Sequence, residues 1–160
     1  RKFGRVYLVD DPAEVLGRLG PEPLADDFTL DAFRACFARR KGALKPLLLN
    51  QAIVAGVGNI YADEALYRAR LHPLRRADTL TDDELVALYT ALRQVLADGI
   101  TREGASVNWY RKPDGTKGNA QTGLQVYGHA GEPCPRCGTP ILKTVVGQRG
   151  THLCPACQIP

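Results

Sequence analysis

Two closely spaced cysteine pairs near the C-terminus constrain the fold of this chain more than any other feature. Cys134 and Cys137 form one C-x2-C pair, and Cys154 and Cys157 form a second pair after 16 intervening residues. Four thiolates at this spacing can close a tetrahedron around one Zn²⁺. Such a site has no open position for water, so the spacing predicts a structural zinc rather than a hydrolytic one. A rubredoxin-like iron centre is the alternative.

The segment between the cysteine pairs has the pattern of a β-hairpin. Residues 141–146 and 151–153 are typical of strands, and the run GQRG at 147–150 is typical of a turn. We expect the metal to close the open end of the hairpin while its tip projects freely. The segment has few apolar residues, so metal binding would supply its folding free energy. Two tight pairs argue against a disulfide framework and predict a reducing cytoplasm.

Positive charge is concentrated in the last third of the chain. Residues 1–101 contain 14 basic and 14 acidic residues, whereas residues 102–160 contain 7 basic and 3 acidic residues, which accounts for the net charge of +4. This distribution is typical of a surface that faces a polyanion, although an ordinary basic tail would look the same. With 44% apolar and 24% charged residues, the composition indicates a globular domain and argues against intrinsic disorder.

Helical periodicity predicts a mainly α chain with a small β part. Thr29 can cap a helix whose apolar residues include Cys36, which we expect to be a buried core thiol. A short helix is predicted over 44–49, with proline tolerated in its first turn. After a glycine turn, Asn59 opens the next helix.

The clearest helix begins at Thr81, because Thr81 and the glutamate three residues later can form a capping box. It extends to about residue 98. Residues 1–9 and 124–127 have strand patterns. The intervening segment 104–123 is rich in Gly, Asn, Lys and Gln and shows no period, which is typical of a functional loop.

Four segments carry a recognisable combination of motifs. They are QAIVAGVGNIYADE at 51–64, DGTKG at 114–118, LQVYG at 124–128 and GQRGTHLCPAC at 147–157. In order and spacing they resemble the bacterial formamidopyrimidine-DNA glycosylase family, and the resemblance covers essentially all 160 residues. It implies a helix-two-turn-helix bundle followed by a zinc-stapled β-hairpin, preceded by a remnant strand of an N-terminal β-sandwich.

The resemblance divides the chain into five parts. Residues 1–10 would be the remnant strand, 11–28 a linker, 29–103 the helix-two-turn-helix DNA-binding domain, 104–123 a lesion-recognition loop and 124–160 the zinc-finger hairpin. We therefore expect part of a longer bacterial protein, monomeric, cytoplasmic and associated with the nucleoid.

The resemblance also implies which residues contact DNA. Arg149 matches an arginine that holds the phosphates around the flipped nucleotide and takes part in δ-elimination. Asn59 matches a residue that grips phosphates beside the lesion, and Lys2, Lys41 and Lys45 match positions of phosphate contact or lesion recognition. From the residues alone, Asn59 can equally cap its own helix, Arg149 can be a solvated turn residue, and the lysines can be ordinary surface residues.

Four further residues are candidates for contact with bases. Arg1 and Phe3 match the arginine and the aromatic wedge that fill the space left by an extruded base. Trp109 and Tyr110 could stack on a base, but such a pair is as often a small local core.

For the parent protein, the resemblance implies a DNA glycosylase and AP lyase. It would flip an oxidised purine, such as 8-oxoguanine or a formamidopyrimidine, out of duplex DNA, cut the glycosidic bond through a Schiff base and nick the abasic site by β,δ-elimination. The family's catalytic N-terminal proline, the following glutamate and an assisting lysine are not in this chain, so we expect the 160 residues alone to bind DNA with little lyase activity.

Two alternatives to this function stay open. One is a stand-alone zinc-hairpin module that binds DNA or RNA without catalysis. The other is the endonuclease VIII-like branch, which shares the architecture but prefers oxidised pyrimidines. The motif at 51–64 and the long segment 104–123 favour the purine branch.

Overall fold

Helices dominate the computed structural model, which describes residues 6–105, 112 and 114–160. Within these residues, five helices precede one antiparallel pair of strands, which confirms the predicted fold class. None of the helices in this part of the chain combines the length and hydrophobicity needed to span a bilayer. The elements are α1 (Ala13–Leu16), α2 (Leu30–Phe37), α3 (Leu44–Leu48), α4 (Asn59–Arg68), α5 (Asp82–Thr101), β1 (Leu142–Val146) and β2 (Arg149–Leu153), with 3-10 turns at Ala77–Thr79 and Ala120–Gly123.

Side-chain caps set the starts of two helices where the sequence predicts them. The Thr29 hydroxyl accepts a hydrogen bond from the Ala32 amide at the start of α2. At the start of α5, Glu84 N donates to Thr81 Oγ1 and Thr81 N donates to Glu84 Oε2, which completes a capping box. Both caps satisfy amides that have no partner within the helix.

An apolar core joins α2, α3, α4 and α5. Its fully buried members include Phe33, Leu48, Leu66 and Leu92. Cys36, predicted to be a buried core thiol, is only partly buried at the edge of this core, and desolvation raises its pKa. Tight interlocking of these side chains fixes the relative positions of the helices that carry the polar site.

Much of the predicted linker at 11–28 is held against the helices. It contains α1, and beyond α1 the Tyr89 hydroxyl donates to the Phe28 carbonyl at 2.7 Å, while the Arg93 guanidinium donates to the Pro23 carbonyl at 2.6 Å. These bonds satisfy backbone carbonyls of an irregular segment along α5.

Both strands predicted outside the hairpin are absent from the described residues. Residues 6–9 form no strand, and Val6 and Leu8 are fully exposed, because a strand needs a neighbour and none of the described residues lies beside them. Residues 124–127 form a turn that wraps around a carboxylate of α4. The apolar pattern there reflects a buried turn, not a strand.

The hairpin turn is tighter than predicted, and its tip is not free. Val146 pairs with Arg149, so only Gly147 and Gln148 form the turn, with φ of 56° and 62°. Two positive φ angles are those of a type I′ turn, whose twist suits a hairpin. A Cβ at Gly147 would lie 2.9 Å from Pro46 Cγ, so the turn packs on α3 instead of projecting into solvent.

Candidate metal centre and nucleic-acid interface

The four paired cysteines come together at the base of the hairpin. The sulfur atoms of Cys134, Cys137, Cys154 and Cys157 all lie within 4.8 Å of one another, with Cys134 Sγ and Cys157 Sγ 3.9 Å apart. Sulfurs of a zinc tetrahedron with bonds of about 2.3 Å lie about 3.8 Å apart. The predicted ligand set therefore fits one structural Zn²⁺, which would hold both ends of the hairpin together.

Groups around Cys134 stabilise its thiolate. The Tyr67 hydroxyl lies 3.3 Å from Cys134 Sγ, and the Arg136 amide donates to the same sulfur at 3.4 Å. Although burial raises the pKa of the Cys134 thiol, these donors hold it to about 6, below its usual value. Burial raises the pKa of Cys157 to about 12. Zinc binding must therefore displace protons, so zinc affinity falls as pH falls.

Arg136 attaches the first cysteine pair to the C-terminal end of α4. Its guanidinium donates to the Tyr67 carbonyl at 2.8 Å and to the Arg68 carbonyl at 3.2 Å, and lies 4.4 Å from the centre of the Tyr67 ring. The last carbonyls of a helix lack partners and carry partial negative charge, which favours a cation there. One side chain thus ties the metal centre to α4.

Glu64 binds the segment that precedes the zinc region. Its Oε1 accepts hydrogen bonds from the Val126 and Tyr127 amides, both at 2.9 Å, and its two oxygens are 3.0 and 2.9 Å from the Gln125 amide. Glu64 is 2% exposed. A buried charge is tolerated when donors surround it, as these three successive amides do.

A buried ion pair lies between the helices and β2. Lys45 Nζ is 2.6 Å from Asp63 Oδ1, and both side chains have no exposed surface. Desolvation lowers the pKa of Lys45 and raises the pKa of Asp63 to about 6, and their mutual attraction opposes both shifts. Asp63 Oδ2 accepts from the His152 amide at 2.9 Å, which joins the pair to the hairpin backbone.

Asn59 also reaches the hairpin. Its Nδ2 donates to the Gly150 carbonyl at 2.9 Å, and Lys45 Nζ donates to the same oxygen at 2.9 Å. The N-cap of α4 is Gly58, without a side-chain cap bond, so Asn59 does not cap its own helix. Asn59 is the first residue of α4, and Gly150 directly follows Arg149 in the sequence. The bond therefore connects the N-terminus of α4 to the neighbour of Arg149.

The surface around this bond is open. Arg149 is exposed, and no carboxylate among the described residues forms an ion pair with it. Gly56 has φ of 74°, and a Cβ at Gly58 would meet nothing within 4 Å. Another molecule can therefore approach the α4 N-terminus closely, and only glycine adopts the conformation at residue 56 without strain.

The other predicted DNA contacts have different placements. Lys41 is exposed before α3, near enough to Asp78 to help lower the pKa of that carboxyl, after the larger effect of Arg76. Lys45, predicted to contact phosphate, is completely buried, donates to the Gly150 carbonyl and Thr151 Oγ1 and is paired with Asp63, so its ammonium is directed into the protein. The candidates Arg1, Lys2, Phe3, Trp109 and Tyr110 lie outside the described residues.

Sequence reasoning missed the residues of α4 that hold the hairpin. Asp63, Glu64 and Tyr67 make these contacts. The sequence pattern that could have revealed two of them is the four-residue spacing of Asp63 and Tyr67 from Asn59. Asn59, Asp63 and Tyr67 recur every four residues and therefore share one face of the helix. A polar face with that period, on a helix that also buries Leu66, indicates a second packing partner.

Two family models match the chain in the same order as the two structural parts. Residues 19–111 match the "Formamidopyrimidine-DNA glycosylase H2TH domain", and residues 131–159 match the "Zinc finger found in FPG and IleRS". The second match agrees with the geometry of the four sulfurs.

Similar proteins carry the same family description. A formamidopyrimidine-DNA glycosylase of Herpetosiphon aurantiacus is 52% identical over 99% of this chain, which spans 59% of that relative's length. The crystal structure of MutM (Fpg) from Thermus thermophilus superposes with a TM-score of 0.87 at 50% identity, covering 93% of this chain and 57% of that one. Lactococcus lactis Fpg in complex with DNA containing an abasic site gives 0.85 at 40% identity, covering 93% and 55%. With its helical part and its zinc hairpin both matched, the chain belongs to the formamidopyrimidine-DNA glycosylase family.

Proposed function

We propose that this chain is the DNA-binding part of a base-excision repair enzyme that removes oxidised purines from duplex DNA and nicks the resulting abasic site. One observation carries the proposal: the Asn59 amide is bonded to the Gly150 carbonyl. That bond joins the α4 N-terminus and the exposed Arg149 into one surface. The N-terminus of α4 and the Arg149 guanidinium can therefore bind phosphates of the same stretch of DNA backbone.

The chemistry of this surface favours phosphate. The first amides of a helix lack partners within it and carry partial positive charge, which attracts an anionic oxygen. Asn59 Nδ2 has a second hydrogen beyond the one given to Gly150, and the open space at Gly58 lets a backbone come close. The Arg149 guanidinium can hold a phosphate with two hydrogen bonds, and we assign it the δ-elimination role.

The comparisons support damaged duplex DNA as the partner, since the Lactococcus relative was solved with DNA containing an abasic site or a formamidopyrimidine lesion. The family assignment disfavours a stand-alone module without an enzymatic parent. We place the parent protein in the bacterial cytoplasm on the nucleoid, acting as a monomer.

The salt dependence of DNA binding tests this proposal. Arg149→Ala should weaken binding to an abasic-site duplex and flatten the slope of log K against log salt by about 0.9 for each lost phosphate contact. Arg34→Ala is the matched control, because Arg34 is paired with Asp31 and Asp82 on the helical part. An Arg149→Ala slope equal to that of the control would contradict phosphate contact.

Borohydride trapping tests the assignment of the chemistry. The resemblance assigns the lyase amine to a proline that is not among these 160 residues, so their incubation with abasic DNA and borohydride should give little covalent adduct. Arg149→Ala provides a binding-deficient reference in the same assay. Efficient trapping by the unchanged chain would show that an amine within these residues performs the lyase step.

A further inference from the structure

The start of β2 is held along the edge that does not pair with β1. Backbone pairing with β1 accounts for one edge of this strand. At Gly150, Thr151 and His152, polar side chains of α3 and α4 supply partners from the other side. A two-stranded hairpin alone is marginally stable, so these contacts help to fix the start of β2 against the helices.

Lys45 provides the first set of contacts. Its ammonium meets Asp63 Oδ1 at 2.6 Å, the Gly150 carbonyl at 2.9 Å and Thr151 Oγ1 at 2.7 Å. Of its three hydrogens, two are donated to the Gly150 carbonyl and to Thr151 Oγ1, and the contact with Asp63 Oδ1 is an ion pair. Neither Lys45, Asp63 nor Thr151 has exposed surface.

Asp63 and Thr151 extend the contacts to both sides. Asp63 Oδ2 accepts from the His152 amide at 2.9 Å, and Thr151 Oγ1 also donates to the Arg149 carbonyl at 3.0 Å. These bonds hold the carbonyls of Arg149 and Gly150 and the amide of His152, while Thr151 pairs with β1. Arg149 itself keeps an exposed side chain at the end of this fixed segment.

We propose that Lys45 and Asp63 are positioning residues, which hold the backbone of β2 so that Arg149 stays beside the N-terminus of α4. This inference rests on the proposed function, in which Arg149 binds the phosphate. Lys45 and Asp63 act indirectly, by positioning Arg149, and Lys45 does not contact the phosphate itself. A buried ion pair often adds little stability over apolar residues of the same volume, whereas its hydrogen bonds are directed. Fixing the backbone in advance lowers the ordering cost when the guanidinium meets a phosphate.

A double-mutant cycle separates positioning from direct contact. The zinc-loaded chain and its Lys45→Met, Arg149→Ala and double variants are titrated with an abasic-site duplex. Lys45→Met should weaken binding about tenfold when Arg149 is present and less than about twofold when it is absent, since the two changes remove the same contact. A tenfold loss in both backgrounds would show that Lys45 acts on DNA independently and would overturn the inference.

Amide exchange without DNA measures the backbone role of Lys45 separately from DNA binding. In Lys45→Met and in the milder Thr151→Val, the amides of residues 149–152 should exchange with solvent about tenfold faster, while four-thiolate zinc binding and the exchange of the α5 amides stay unchanged. Unchanged protection of residues 149–152 in a folded, zinc-bound variant would overturn the positioning role. If protection falls but Arg149→Ala leaves DNA affinity unaltered, the backbone role stands and the proposed phosphate grip fails.

Discussion

The helical core and the zinc hairpin are stabilised by different forces. In the core, large apolar side chains such as Phe33 and Leu92 are completely buried among others of their kind. The hairpin instead exposes Leu142 and Val145, which are 49% and 70% accessible. Its buried residues include Thr151 and His152, which contact the polar groups of Lys45 and Asp63. The core can therefore fold by burial alone, whereas the hairpin depends on metal ligation and on polar bonds to a neighbour.

Helix α4 connects these two kinds of stability. One face contributes Leu66 to the apolar core, and another presents Asp63, Glu64 and Tyr67 to the hairpin and to the segment before it. The proposed DNA surface lies at the N-terminal end of this helix. Its geometry therefore depends on both regions, and each can be perturbed separately.

Removing a metal ligand should give the largest effect and should be confined to one region. Cys154→Ser should lose zinc and unfold the hairpin, because structural zinc supplies on the order of 10 kcal/mol in small zinc domains. Helix α5 should stay folded, since the apolar core contains none of the ligands. Zinc content and amide exchange measured along the chain would check both parts.

Cys36→Ser is the matched control, because Cys36 is partly buried beside the core and outside the sulfur cluster. It should retain one zinc per chain. Loss of all helical signal in Cys154→Ser would show that the two regions fold as one cooperative unit.

Local signals made the helical region and the metal ligands predictable. The helix caps and the C-x2-C spacing are short patterns whose physical reason lies within a few residues, and Thr81, Thr29 and the four cysteines behave as predicted. The hairpin was predictable for the same reason. Its turn, predicted over 147–150, ends two residues earlier, because Gln148 adopts a positive φ that favours glycine or asparagine and β2 already begins at Arg149.

The contacts between the regions were not predictable from local patterns. Lys45 resembles a surface lysine in sequence, and its burial depends on Asp63 and on strand residues more than 100 positions later. Residues 124–127 have a strand-like pattern because Val126 is buried. A carboxylate 61 or more positions away supplies their hydrogen bonds, so no local pattern reveals the turn.

Neutralising Glu64 should weaken the connection between the regions without removing zinc. Glu64→Gln replaces a buried carboxylate that accepts from three successive amides, so the unfolding free energy should fall by about 4 kcal/mol. Chemical denaturation of the zinc-bound protein would measure the change. Glu103→Gln is the control, since the exposed pair of Glu103 with Lys112 should contribute less than about 1 kcal/mol. Equal effects of the two changes would contradict the role of Glu64.

The buried Asp63 should make stability depend on pH. The pKa of Asp63 in the folded protein is about 6, above the ordinary value of 3.8. Between these two pH values the folded protein binds more protons than the unfolded chain, so stability falls as pH rises. Between about pH 4.5 and pH 7 the loss attributable to Asp63 should be about 2 kcal/mol. Denaturation with zinc in the buffer, compared with Asp63→Asn, isolates this contribution. A difference between the two proteins that stays constant with pH would contradict it.

The smallest expected effect is the loss of a cap far from the metal. Thr81→Ala removes the hydroxyl that accepts from the Glu84 amide at 3.2 Å, and the unfolding free energy should fall by about 1 kcal/mol. Thr81→Ser keeps the acceptor and should restore most of the loss. Because the cap belongs to the helical region alone, the rate of zinc release to a chelator should not change in either variant. If Thr81→Ala accelerated zinc release, fraying of α5 would reach the hairpin through α4, and the separation of the two regions would fail at this helix.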